Sequence, residues 1–351
     1  MNKRLKLSCL SLFLALVICS CSSQKKYSYE TVPNDPLKAR IYTLDNGLKV
    51  YLTVNKETPR IQTYIAVRVG GKNDPAETTG LAHYFEHLMF KGTTNFGTQN
   101  YEIERPLLDQ IEEQFEVYRK TTDSLERKAI YAKIDSISYE ASKYAIPNEY
   151  DKLMAAIGAN GTNAYTSFDV TCYTEDIPSN QIDNWAKIQA ERFENCVIRG
   201  FHTELETVYE EKNMYSDFIG YQAIENLTKR YFEPHPYAYP ILGNTDNLKS
   251  PRLTQMARFF KDYYVGSNMG LILSGDFDTQ TVLPILEKTF SKIPSGTAPR
   301  SGTAPPPPFK GKEHFKIKLP IPIVKIMGLG FRGVPANHKD QIALNIAIGI
   351  L

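Results

Sequence analysis

Between Leu81 and Phe90 the chain is apolar except at three positions, His83, Glu86 and His87. On a helix advancing about 100° per residue these three share one stripe about 100° wide. A helix this apolar is expected to be buried, and three ionisable groups inside it need partners. A metal ion is the economical partner, because two imidazoles at i and i+4 can both reach one ion. Glu86, one residue before the second imidazole, points beside such an ion rather than at it, where a base acting on water belongs. The competing reading, a satisfied polar cluster in a core, predicts no metal.

The five residues His83-Tyr84-Phe85-Glu86-His87 spell H-x-x-E-H, the inverted zinc-protease signature. They must sit on a helix from about Gly80 to Phe90, with Thr79 as N-cap and Gly92 at the C′ position. Ahead of it, Leu48, Val50, Leu52 and Val54 alternate with polar neighbours, then Ile61, Thr63, Ile65, Val67 and Val69 do the same, with Thr58-Pro59 between. This predicts two antiparallel strands. After it, Leu108, Ile111, Phe115 and Tyr118, then Leu125, Ile130, Ile134 and Ile137, recur at helical spacing around a break at Thr121-Thr122-Asp123. An antiparallel helical hairpin over 103–146 follows, inserted between core elements. Residues 163–173 are rich in strand formers, with Gly158 and Gly161 marking a turn before them. Helices are predicted over 179–195 and 203–215, the second opening with Thr203 and Glu206 in capping-box spacing. A strand over 269–273 then leads to a helix around 280–291.

At 351 residues, 42% hydrophobic and 23% charged, the chain can bury a core, so wholesale disorder is excluded. A net charge of +2 is too balanced for a dedicated nucleic-acid binder, so no nucleic acid is expected as a partner. Lys3, Arg4 and Lys6 precede an apolar run from Leu10 to Ile18, so residues 1–20 read as a signal peptide. The following Cys21, with Ser20 before it, resembles the acylated cysteine of a bacterial lipobox. The expected product is a lipid-anchored protein of the bacterial cell envelope, facing the periplasm, with residues 21–37 as a polar tether. An ordinary secretory signal is the alternative. Without residues 1–20 the net charge is −1, so attachment to the membrane would be by the lipid alone. Cys172 and Cys196 can be one disulfide or two buried thiols. Residues 294–312 form a Pro/Gly-rich linker. Beyond it, strand-like stretches at Phe315–Leu319 and Ile323–Phe331 and a helix from about Lys339 repeat the strand, strand, helix outline of 48–90. From this and the apolar end at Leu351, the sequence is expected to be a fragment that stops inside a second, repeated domain.

Taken together, GLAHYFEHLMFKGT (80–93), NAYTSFDVTCY (163–173), ELETVYEE (204–211), HPY (235–237) and SNMGLILSGDFD near 270 resemble the pitrilysin-type zinc peptidase family. That family includes insulin-degrading enzyme and the mitochondrial processing peptidase. The resemblance spans about residues 40–293 in the family's order. It implies an α+β fold, a mostly antiparallel sheet flanked by helices, with a zinc peptidase domain over 38–293 and the start of its repeat over 313–351. It implies Zn²⁺ as cofactor, with His83 and His87 as ligands and a downstream glutamate as the third. The family pairs that ligand with a glutamate seven residues earlier, which matches Glu211 and Glu204. Two residues seven apart face the same side of a helix. Glu210 competes for the ligand role but lacks a glutamate at that offset. Glu204 is expected to orient a ligand or assist proton traffic. The 124-residue distance from His87 to Glu211 exceeds the family's usual spacing, and the hairpin at 103–146 accounts for the excess.

Two neutral imidazoles and one carboxylate leave a fourth position for water, with Glu86 as general base toward a peptide carbonyl. The substrate implied is an extended or unfolded peptide added as a strand beside Asn163 and Ala164, though a plain structural edge strand reads equally well there. His235 and Tyr237 read as loop packing. The expected partners are the peptide substrate, the membrane through the lipid, and a missing C-terminal half or a homologous subunit that completes the site. The main alternative is a non-catalytic peptide-binding or scaffolding subunit of the same fold. Such members usually lack part of the zinc motif, which is whole here.

Overall fold

The computed structural model describes residues 27–248, 252–300, 305–309, 311–318 and 327–351. The expected signal peptide, Cys21 and the first residues of the tether therefore lie outside the described residues. In chain order the elements are β1 (Glu30–Thr31), β2 (Arg40–Thr43), β3 (Lys49–Val54), β4 (Arg60–Val67), α1 (Leu81–Leu88), α2 (Tyr101–Lys120), α3 (Ser124–Ser142) and α4 (Glu149–Ala156). Then come β5 (Asn160–Thr166), β6 (Thr171–Pro178), α5 (Ile182–Glu194), α6 (Phe201–Asp217), α7 (Ile219–Phe232), α8 (Thr245–Leu248), α9 (Leu253–Tyr263), β7 (Met269–Gly275), α10 (Thr279–Phe290) and α11 (Gln341–Ile350). Among the described residues, no helix is long and apolar enough to cross a membrane.

The seven strands form one sheet in the order β1-β2-β3-β7-β4-β6-β5. Every neighbouring pair is antiparallel except β3 and β7. The fold is thus α+β, with a sheet that is mostly antiparallel. One expectation is corrected: β3 and β4 run in opposite directions but are not partners. β7 lies between them, with Leu271 paired to both Val50 and Ile65. Alternation reports which face a residue takes; it does not report the neighbouring strand.

One face of the sheet is apolar. Val50, Leu52, Ile61, Ile65, Val67, Tyr173, Ile177, Leu271 and Leu273 are buried there, while the alternate residues are more exposed, as an antiparallel sheet covered on one side requires. Trp185 of α5 and Phe290 of α10 meet in the core, with ring centroids 5.8 Å apart. Each fully buried Leu or Ile contributes about 1.5–3 kcal/mol, so the shared core outweighs the weak helix propensities of the short elements around it. Glu175 on β6 is fully buried, and accepts from Thr63 Oγ1 (3.1 Å), Tyr150 Oη (2.9 Å), Trp185 Nε1 (3.3 Å) and Gln189 Nε2 (3.2 Å). A carboxylate placed there must be satisfied by donors, and it is.

The hairpin forms as α2 and α3. The Asn100 side chain caps α2 by accepting from Ile103 N (3.3 Å), and Asp123 caps α3 by accepting from Glu126 N (2.9 Å). Ile111 and Phe115 of α2 and Ile134 and Ala141 of α3 are its buried apolar residues. Elsewhere, local signals mislead in three places. The strand-rich run 163–173 is two strands, β5 and the start of β6, because Ser167 Oγ accepts from Asp169 N and Val170 N and turns the chain. Thr203 and Glu206 form no capping box: Gly200, at φ 62°, is the N-cap of α6, and Thr203 Oγ1 donates to its carbonyl. The strands expected around 315–319 and 323–331 are absent from the described parts, 315–318 and 327–331. A strand needs a ladder partner, and the described sheet provides none for them. Among the described residues of that outline α11 alone forms, with Ile342, Ile346, Ile348 and Ile350 exposed. Cys172 and Cys196 are both free, so of the two readings it is thiols rather than a disulfide.

Candidate metal centre

α1 is short and almost wholly buried, and its ends are fixed from outside the helix. Its N-cap is Gly80, not Thr79, at φ 91°. A Cβ at Gly80 would stand 2.8 Å from Gly243 Cα and 2.9 Å from Leu242 O, so only glycine lets the loop at 240–243 come this close. The first-turn amides are satisfied by Asp74, whose carboxylate accepts from Gly80 N (2.7 Å) and Ala82 N (2.9 Å). Burial pushes the Asp74 carboxyl up to about 7, against the opposing pull of these N–H donors. One side of α1 packs Phe85 against Phe260 and Tyr264, with centroids 5.5 and 5.1 Å away. The other turns His83, Glu86 and His87 to a cavity of about 720 Å³.

The opposite wall of that cavity is α6, which carries Glu204 and Glu211. Tyr84 Oη donates to Phe201 O (2.5 Å), tying α1 to the start of α6. His83 Nε2 and His87 Nε2 are 3.3 Å apart, and Glu211 Oε2 lies 3.6 Å from the first and 3.5 Å from the second. Ligands about 2.0–2.1 Å from a tetrahedral ion stand roughly 3.3 Å from one another, so these three atoms have the spacing of a ligand set. Among the described residues these three form a group able to hold a metal ion. Glu210 is exposed and outside that group.

The protonation chemistry agrees with a cation here. His87 Nδ1 donates to Glu204 Oε1 at 2.9 Å, so Nε2 is the ring nitrogen that faces His83 and Glu211. Glu204 is held below the usual carboxylate range: burial would raise it, but hydrogen bonds from His87 and Lys91 prevail. Burial likewise lowers His87, yet its bonds to Glu204 and Glu211 win and raise it to about 9. Burial and the charge of His87 lower His83 to about 4, so His83 stays neutral and its Nε2 is available as a donor atom. Among the described residues His83 Nδ1 is buried without a hydrogen-bond partner. A site that draws a proton onto His87 between two acids is built for positive charge.

Glu86 is 7% exposed, and its Oε2 accepts from Thr166 Oγ1 on β5 at 2.5 Å. Burial raises its carboxyl above the ordinary value, with the Thr166 bond opposing. Asn163 and Ala164 line the same cavity from β5, an edge strand of the sheet. Asn163 is exposed and Ala164 half-buried. His235 and Tyr237 pack on each other at 4.5 Å, and Tyr237 Oη donates to Asp169 Oδ2 at the β5–β6 turn. Sequence reasoning passed over Thr166, Lys91 and Asp74. Lys91, whose ammonium pairs with Glu204 Oε2, stands four residues after His87, so helical spacing held that signal. Asp74 held none, because it caps α1 from a loop six residues ahead of Gly80.

Two family models match the chain: Insulinase (Peptidase family M16) over residues 49–110, and Peptidase M16 inactive domain over residues 252–351. The second segment contains none of the residues from His83 to Glu211. Zinc protease PqqE of Helicobacter pylori is 25% identical over 86% of this chain and 58% of its own length. The probable mitochondrial-processing peptidase subunit beta of Arabidopsis thaliana is 22% identical over 88% of this chain and 49% of its own. The chain therefore spans about half the length of these curated relatives. Among solved structures, the periplasmic protease PqqL from Escherichia coli superposes with a TM-score of 0.59 at 18% identity, covering 80% of this chain and 26% of that one. The H-x-x-E-H helix, the sheet that carries it and these matches agree: the chain is similar to peptidase family M16, the pitrilysin-type family, over both matched segments.

Proposed function

We propose that this chain carries the catalytic residues of a zinc-dependent endopeptidase or oligopeptidase that hydrolyses extended or unfolded peptides. The observation that carries the reading is the convergence of His83, His87 and Glu211 within ligand spacing from two facing helices, beside the buried carboxyl of Glu86, in one cavity. The donor set, two imidazoles and a carboxylate, suits zinc and leaves a position open to substrate. Zinc held by these three supplies a Lewis acid for the scissile carbonyl and brings the pKa of water to about 7. Glu86, raised by burial, takes a proton from the attacking water and returns it to the leaving amine. Glu204 fixes the His87 tautomer and ring orientation, and Lys91 holds Glu204 in turn. The peptide lies along β5 as an added strand beside Asn163 and Ala164, bound through its backbone and so with little demand on sequence.

The related processing-peptidase subunit and the periplasmic protease support the wider reading: a C-terminal half or a homologous subunit closes over the cavity and completes the site. The periplasmic protease also supports a periplasmic location, to which the sequence adds a lipid anchor through Cys21. The test is cleavage of an unstructured peptide by the full-length protein. The wild type cleaves, a chelator stops it, and Glu86→Gln is inactive while retaining zinc. Cleavage that survives both the chelator and Glu86→Gln contradicts the proposal.

A further inference from the structure

The inserted hairpin and the metal centre meet at one buried ion pair. Arg199 is 4% exposed and Glu104, in the first turn of α2, is fully buried. The pair is bidentate: Arg199 Nε to Glu104 Oε1 at 2.6 Å, and Nη2 to Oε2 at 2.8 Å. The rest of the guanidinium is spent on the chain leaving α1, with Nη1 donating to Lys91 O and Nη2 to Thr93 O, each at 3.1 Å. Glycines make room for it, since a Cβ at Gly92 or Gly97 would lie 2.8 or 2.9 Å from Nη1. The main chain of Arg199 immediately precedes Gly200, the N-cap of α6. Its side chain therefore grips the end of the helix that carries His83 and His87, while its backbone starts the helix that carries Glu204 and Glu211. The grip reaches the ligands themselves, because Lys91, whose carbonyl it holds, pairs through its ammonium with Glu204, the partner of His87 Nδ1.

We propose that Arg199, locked by Glu104 of the hairpin, is a positioning residue for the metal centre, setting the separation of α1 and α6 so that Glu211 meets both imidazoles. The inference rests on the metal reading above. It gives the hairpin a role in the site. A buried bidentate pair exceeds what loop anchoring alone requires, since an apolar pair of similar volume would usually serve stability as well. What the apolar pair lacks is the fixed fork of N–H donors that places two carbonyls.

The test uses the full chain in two variants: Arg199→Lys, which keeps the charge but not the fork, and the paired Glu104→Leu/Arg199→Met, which removes both charges at similar volume. Zinc affinity is measured by competition with a chelator, the visible spectrum of the Co²⁺-loaded protein reports ligand geometry, and metal-free thermal melts report folding. The expected result is that variants melting within a few degrees of wild type hold zinc at least tenfold more weakly, with altered Co²⁺ bands. A folded variant with wild-type affinity and an unchanged Co²⁺ spectrum overturns the proposal. So does the failure of both variants to fold, because the pair then serves the fold itself. A wild-type chain that takes up no zinc defeats the metal reading instead, and is seen before any variant is made.

Discussion

Thr166 shows how much one hydroxyl can decide at this site. Its Oγ1 is the hydrogen-bond donor that fixes the Glu86 carboxylate, which is otherwise buried and raised. A hydrogen bond to a charged group contributes about 1.5–3 kcal/mol, so Thr166→Val should lower kcat roughly tenfold or more while leaving zinc content unchanged. Steady-state kinetics beside metal analysis checks this; an unchanged kcat would mean that Glu86 needs no such partner. At this scale the sequence was legible where residues lie close in the chain. His83, Glu86 and His87 share a stripe of one helix, and Glu204 and Glu211 are two turns apart on another. What it withheld were contacts between elements. Thr166 meets Glu86 across 80 positions, and the conformation of β5 that allows this has no local signature.

The elements that hold these residues were read well where periodicity is strong and poorly where a partner outside the element decides. The hairpin α2–α3 follows from its two apolar stripes. The cap of α1 does not, because Asp74 reaches it through a loop and displaces the nearer Thr79. Asp74→Ala leaves two buried amide groups at Gly80 and Ala82 without their acceptor. Loss of such a cap costs about 1–2 kcal/mol, which should lower the metal-free melting temperature by several degrees. Calorimetry of the metal-free variant against wild type is the check, and equal melting temperatures would show that another group caps the helix. The order of the sheet was also beyond the pattern. β7 separates β3 from β4, and only the apolar demand on a central strand, met by Met269, Leu271 and Leu273, hints at it.

For the whole molecule, the metal is expected to link two walls of the cavity, α1 and α6, which otherwise meet through few direct bonds such as that from Tyr84 to Phe201. Binding that favours the folded chain adds stability by mass action, about 4 kcal/mol at a thousandfold excess over Kd. Removing zinc should thus lower the melting temperature by on the order of 10 °C, reversibly on readdition. A melt indifferent to chelator would show that the two helices are held without it. The same scale explains why the fold class was accessible and the assembly was not. Binary patterning makes an α+β core from strands and amphipathic helices alone. The exposed residues Ile342, Ile346, Ile348 and Ile350 on α11 carry no pattern that names what they face.

The most direct measurement is the zinc content of purified wild type beside His83→Ala, His87→Ala, Glu211→Gln and Glu86→Gln, after dialysis against a weak chelator. The account predicts one equivalent in wild type and in Glu86→Gln, and loss of zinc from the other three. Wild type without stoichiometric zinc, or Glu211→Gln holding it as firmly as wild type, would contradict it.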